Sequence, residues 1–207
     1  MQTIQPKAAA LLISTTQPQL ERIPRGLIGN GSPSLQKPAT IKPFGDLPRI
    51  GKYWHGHGGV YTGIMRGEKG LPDYHLITAV DPLAIVSDIA WADGYDKQHG
   101  ACSDVDGIAN TLYLCASAIN HPAAQWASKL CIDGLSDFYL PARHEARLMY
   151  INLPGLFDLD DWYWTSTQGA GNADCAWMQD FGDGDQDGDH ESDEGSARAV
   201  RRILIIE

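Results

Sequence analysis

Trp162-Tyr163-Trp164-Thr165-Ser166-Thr167 reads as a β-strand, because aromatic and β-branched side chains suit a pleated, half-buried surface. After a polar gap, Ala176-Trp177-Met178-Gln179-Asp180-Phe181 reads as a second strand. Arg198 to Ile206 reads as a third, alternating first and then solidly apolar. Upstream, Leu135 to Leu140 predicts a short strand. Pro141 then opens a helix over Ala142 to Tyr150, since proline is tolerated in a first helical turn.

Further out, Gly59 to Met65 and Tyr74 to Val80 predict a hairpin closed by the turn Arg66 to Pro72. The section from Ile85 to Gly100 is mixed. Asp104 or Asp106 predicts the cap of a helix reaching about Ala118, with Ile108, Leu112, Cys115 and Ile119 at helical spacing. His121-Pro122 breaks it, and a second helix follows over Ala123 to Leu130. Two helices early and a Trp-dense, strand-rich C-terminal half make the fold class α+β. Residues 1–48 carry seven prolines and no sustained period. They predict an extended arm, for oligomerisation or attachment to a particle, ahead of one domain over 49–207.

The chain has 207 residues, with 26 acids against 16 bases and a formal net charge of −10. Residues 180–194 hold eight of those acids and no Lys or Arg, which leaves −2 for all the rest. Nucleic acid is excluded as a general partner, because neutralising phosphates takes Lys and Arg. No segment approaches the roughly 20 apolar residues of a membrane span, so no membrane insertion is expected. The apolar run Ala8 to Ile13 is too short for a secretory signal. Cys102, Cys115, Cys131 and Cys175 form no CxxC pair and read as buried free thiols.

Ser136-Asp137-Phe138-Tyr139-Leu140-Pro141-Ala142-Arg143-His144-Glu145 precedes Tyr163-Trp164-Thr165-Ser166-Thr167, then Ala176-Trp177, Phe181 and Arg198-Ala199-Val200-Arg201-Arg202. In that order and spacing, the chain over about 50–207 resembles bacterial and phage domains of the C-type-lectin-like fold. It resembles above all the variable proteins of diversity-generating retroelements, of which phage tropism determinants are the known type. The resemblance implies two main helices and a small Trp-rich antiparallel sheet whose loops face outward. It also implies a C-terminal region rewritten at template adenines, where Asn codons become Asp, Gly, His, Ser or Tyr codons.

That set dominates the stretch between Phe181 and Ala197. Glu191 and Glu194 depart from it, so they are expected to be constant or to come from a Lys codon. Within the variable region 165–197, the expected ligand-binding surface is Gly169, Gly171, Asp174, Asp180, Gly182, Asp183, Asp185, Asp187, Gly188, Asp189, His190, Ser192, Asp193 and Gly195. A cluster this acidic favours a basic or polyhydroxyl partner, with affinity falling as salt rises.

Rival readings share these residues. Asp183 to Glu194 matches the EF-hand pattern, in which Asp183, Asp185, Asp187, Asp189 and Glu194 would hold calcium. True EF-hand loops lie between helices and carry an apolar residue at position 8, where this chain has His190. His55-Gly56-His57 reads as a Gly-rich entry turn rather than a metal site. The fold implied by the resemblance also hosts formylglycine-generating enzymes, which use cysteines near the C-terminus, whereas Cys175 stands alone there. With no nucleophile elbow, P-loop or dinucleotide fingerprint, no catalysis is expected. Asp137 and Glu145 are expected to cap and solubilise the helix after Pro141. Arg198, Arg201 and Arg202 are expected to partner framework carboxylates or carbonyls.

The expected function is binding of a protein or glycan receptor by a phage or prophage protein, for host recognition or surface display. A homo-oligomer is expected, a trimer by family likeness, in a virion or in the bacterial cytoplasm. A fixed calcium-dependent carbohydrate site and an oxidative enzyme on the same fold remain as alternatives.

Overall fold

The computed structural model describes residues 47–94, 100–169, 171 and 174–206. The predicted arm lies outside them, save for Leu47 and Pro48. Two sheets and three helices make up the described residues. One sheet is β1 (Tyr53–Trp54), β2 (Gly59–Met65), β3 (Tyr74–Ala79) and β9 (Val200–Leu204), in that order and antiparallel throughout. The other runs β4 (Ile85–Ala90), β8 (Glu194–Arg198), β5 (Trp162–Gln168), β6 (Cys175–Asp180), β7 (Gln186–His190). Here β5 and β8 pair in parallel, at Tyr163 and Ser196, so the Trp-rich sheet is mixed rather than wholly antiparallel.

The α+β class holds, with three helices in place of two main ones. α1 (Gly107–Ala116) starts where Asp106 accepts a hydrogen bond from the Ala109 N–H at 3.1 Å. α2 (Pro122–Ser128) begins at the proline that reads as a break, because proline's missing N–H is harmless in a first turn. α3 (Arg143–Asn152) is opened by Glu145, whose Oε2 accepts the Ala142 N–H at 2.7 Å.

Three sequence expectations are corrected. The segment Leu135 to Leu140 forms isolated bridges, Ile132 with Leu135 and Tyr139 with Val200, instead of a strand. The Thr111 hydroxyl of α1 takes up Leu140 N–H and C=O, at 3.2 and 3.3 Å, so those groups need no ladder. The expected last strand, Arg198 to Ile206, is β9 alone, and its first residue instead closes β8 of the other sheet. The two strands meet at Ala199, fully buried, whose N–H donates to Ala84 and whose carbonyl accepts from Ala79. The run Gln186 to His190, in the variable region expected to lie in outward-facing loops, is strand β7.

One core packs Trp91, Leu114, Leu140, Trp164 and Met178 with the alanines of α2. A second packs Tyr74, Leu76, Met149, Phe157, Tyr163 and Phe181 against α3. Glu145 sits inside rather than solubilising its helix. Its Oε1 accepts from Tyr139 at 2.6 Å and Tyr74 at 2.7 Å, joining α3 to β3. Burial pushes its carboxyl up to about 7, against the opposing pull of these donors and of Arg202. The arginines are framework partners: Arg198 donates to Ala79 and Leu156 carbonyls, Arg201 clasps Asp137 at 2.7 and 2.9 Å, and Arg202 pairs with Asp106 at 2.9 Å. The thiols are free, but Cys102 and Cys131 are exposed, against the expectation of burial.

Candidate functional site

The acidic stretch is built onto a rigid support. β6 turns back into β7 through residues 181–185, where the Asp180 N–H donates to the Asp185 carbonyl at 2.9 Å. Asp180 accepts from the Gly182 N–H and Asp183 from the Asp185 N–H, so both carboxylates shape the turn itself. α3 grips this turn from outside. Tyr150 donates to the Asp183 carbonyl at 3.0 Å, and Arg147 donates to the carbonyl of Gly184. Gly184 has φ +89 and lies flat on the Tyr150 ring, where a Cβ would collide. Arg143 stacks over Trp177, 3.5 Å from its centroid, and exchanges two hydrogen bonds with Gln186.

β7 is an edge strand, and its register divides the charge. Asp187 lies opposite Met178 and Asp189 opposite Ala176, on one face. Gln186, Gly188 and His190 lie opposite Gln179, Trp177 and Cys175, on the other. Asp187, Gly188, Asp189 and His190 are all exposed. Two acids on a free edge also guard it against pairing with another chain.

Past His190 the chain dips inward once. Glu191 is fully buried, and its Oε1 accepts from Gln168 Nε2 at 2.8 Å. Its backbone bonds to the Asp174 carbonyl and the Ala92 N–H tie it to two neighbouring segments. Ser192, Asp193 and Glu194 then return to the surface.

Of the expected surface residues, Gly171, Gly182, Asp183, Asp185, Asp187, Gly188, Asp189, His190, Ser192 and Asp193 are exposed. Asp174 and Asp180 are half-buried. Gly169 is buried, its N–H donating to Cys175, and Gly195 packs against Trp164 and Met178. These two glycines belong to the framework instead of the displayed surface, because any side chain at Gly195 would meet the Trp164 indole.

The EF-hand pattern is laid out as a turn and two strands. Asp183 and Asp185 lie in the turn, Asp187 and Asp189 on β7, and Glu194 opens β8 beside Ala90. Among the described residues, no three His, Cys, Asp or Glu side chains converge as a metal site would require. No helix there is long and apolar enough to cross a membrane. The segment at His55-Gly56-His57 is a turn, with Gly56 at φ +79 and His57 beside Arg201.

Sequence reasoning missed Trp162. It is 37% exposed and lines a cavity of about 230 Å³ with Met178, Asp187, Gly188 and Asp189. It also missed the Arg143–Trp177 stack. The strand period places Trp162 and Trp164 on one face, but not that Trp164 is covered and Trp162 open. No protein-family model matches the chain, and no curated protein matches its sequence.

Proposed function

We propose that this chain is a ligand-binding protein of phage or prophage origin. It presents the segment from β6 to β8 as a diversified surface on a C-type-lectin-like scaffold, for host recognition or surface display. The single observation that carries the reading is how burial sorts residues 182–193. Every Asp, His and Ser of that span is exposed, whereas Glu191, outside the set reachable from Asn codons, is buried and bonded to Gln168. A displayed position can change without unfolding the domain when its side chain packs on nothing, and a buried one cannot.

The reading is of binding rather than catalysis, with a protein or glycan receptor as partner. Assembly into a homo-oligomer, a trimer by family likeness, would turn weak single sites into avid attachment. The virion is the place where such display acts.

Deep sequencing of the gene and its flanks in a passaged source population tests this. The expected result is a second, near-identical copy of the segment differing at adenines, with variation confined to codons of exposed residues and Glu191 constant. A gene invariant over many generations, with no second copy beside it, overturns the reading.

A further inference from the structure

We infer that the cavity between Trp162 and β7 binds an organic cation, an alkylammonium or guanidinium head of the lysine or arginine type. This rests on the reading of β7 as a binding surface, and it names the ligand class for this particular sequence of the strand. The cavity measures about 230 Å³, room enough for a whole lysine or arginine side chain. Its walls are an indole at Trp162, the thioether of Met178, the backbone at Gly188, and the carboxylates of Asp187 and Asp189.

The aromatic component is the first argument. A tryptophan 37% exposed at the mouth of a cavity leaves part of its ring in water, and Met178, 3% exposed, continues that apolar wall inward. Cations attract to an indole's electron-rich face, and polarisable or weakly hydrated ones give up their water most readily.

Charge is the second argument. Alternate positions on a strand lie about 7 Å apart on one face, which places the two carboxylates on either side of a single head group. Asp187 accepts from the Gly188 N–H and Asp189 from the His190 N–H, each at 2.8 Å with Oδ1. The second oxygen of each has no partner among the described residues, and no Lys or Arg lines the cavity. A hard metal ion needs several oxygens converging on one point, and here they are spread along an extended strand. A neutral sugar would use the indole but leave both carboxylates without counter-charge on desolvation. An organic cation uses every wall.

The test is an NMR titration of the full chain, following the Trp162 indole N–H, assigned through Trp162→Phe. The probes are Nα-acetyl-arginine methylamide and Nα-acetyl-lysine methylamide, with Nα-acetyl-glutamine methylamide as the neutral control. The expected result is a saturable shift with a cationic probe and none with the control. Binding should weaken at least about fivefold in Asp187→Asn/Asp189→Asn, whose side chains are exposed and carry no packing. Equal shifts with the control, no saturation with either cationic probe, or unchanged affinity in the double variant would overturn the inference. The two readings fail separately. An invariant gene leaves cation binding standing, and a flat titration leaves diversification standing.

Discussion

Gln168, at the end of β5, donates through Nε2 to Glu191 Oε1 at 2.8 Å, and both side chains are buried. This bond joins the Trp-rich strand to the middle of the acidic stretch, and it separates one acid from its seven neighbours. Glu191→Ala would remove this buried hydrogen bond and open a cavity, at a cost of about 2–4 kcal/mol. Ser192→Ala and Asp193→Ala, one and two residues on and exposed, should each stay within about 0.5 kcal/mol. Urea unfolding of the three variants checks this, and equal costs would refute the division between framework and display.

Glu145 makes stability depend on pH. Its carboxyl titrates near 7 in the folded protein and near the ordinary 4.5 when unfolded. A raised folded value means that folding favours the protonated form. The stability it contributes is therefore full below about pH 4.5 and lost as pH rises through 7. Between pH 4.5 and 8, the wild type should lose on the order of 2–4 kcal/mol relative to Glu145→Gln, which cannot ionise. Denaturant titrations of both proteins across that range measure the difference, and a flat difference would sink the assignment.

The turn before β7 should not tolerate change at Gly184, whereas the strand itself should at Gly188. Gly184 combines φ +89 with the Tyr150 ring against its Cα, so Gly184→Ala should cost about 1–3 kcal/mol. Gly188 on the exposed strand has only ordinary van der Waals neighbours for a Cβ, at 3.5 and 3.8 Å. Gly188→Ala should move stability by about 0.5 kcal/mol or less. Thermal melts of the two variants decide it.

Calcium should leave the melting temperature unchanged relative to chelator, because the EF-hand donors are strung along a turn and two strands. Raising salt, in contrast, should stabilise the protein by screening repulsion among the exposed acids. A rise of several degrees with calcium, at constant ionic strength, would establish metal binding to the native state and reopen the fixed lectin-type site.

The strands Trp162–Gln168 and Cys175–Asp180, the hairpin at Gly59–Met65 and Tyr74–Ala79, and the helix capped by Asp106 were all legible in the sequence to within one to three residues. So was the partnership of Arg198, Arg201 and Arg202 with framework oxygens. The Leu135–Leu140 segment misled because its aromatic and aliphatic residues suit a strand, whereas only Leu135 and Tyr139 form bridges and Leu140 is satisfied by Thr111. Glu145 misled because a glutamate early in a helix normally faces water, and nothing local reveals that Tyr74, seventy-one residues away, reaches it.

By itself the sequence determined the helices, most of the strands, and the concentration of acids after Phe181. Caps, turn residues and hydrophobic period act across a few neighbouring positions and survive without knowledge of partners. Only the tertiary structure decided that the chain changes sheets at Ala199. It alone turned Asp187 and Asp189 toward Trp162, with Gly188 and His190 on the face of Trp177, and drew Glu191 inside. Which side of a strand is buried depends on what pairs and packs against it from distant parts of the chain, and a one-residue shift in register would have reversed both faces of β7.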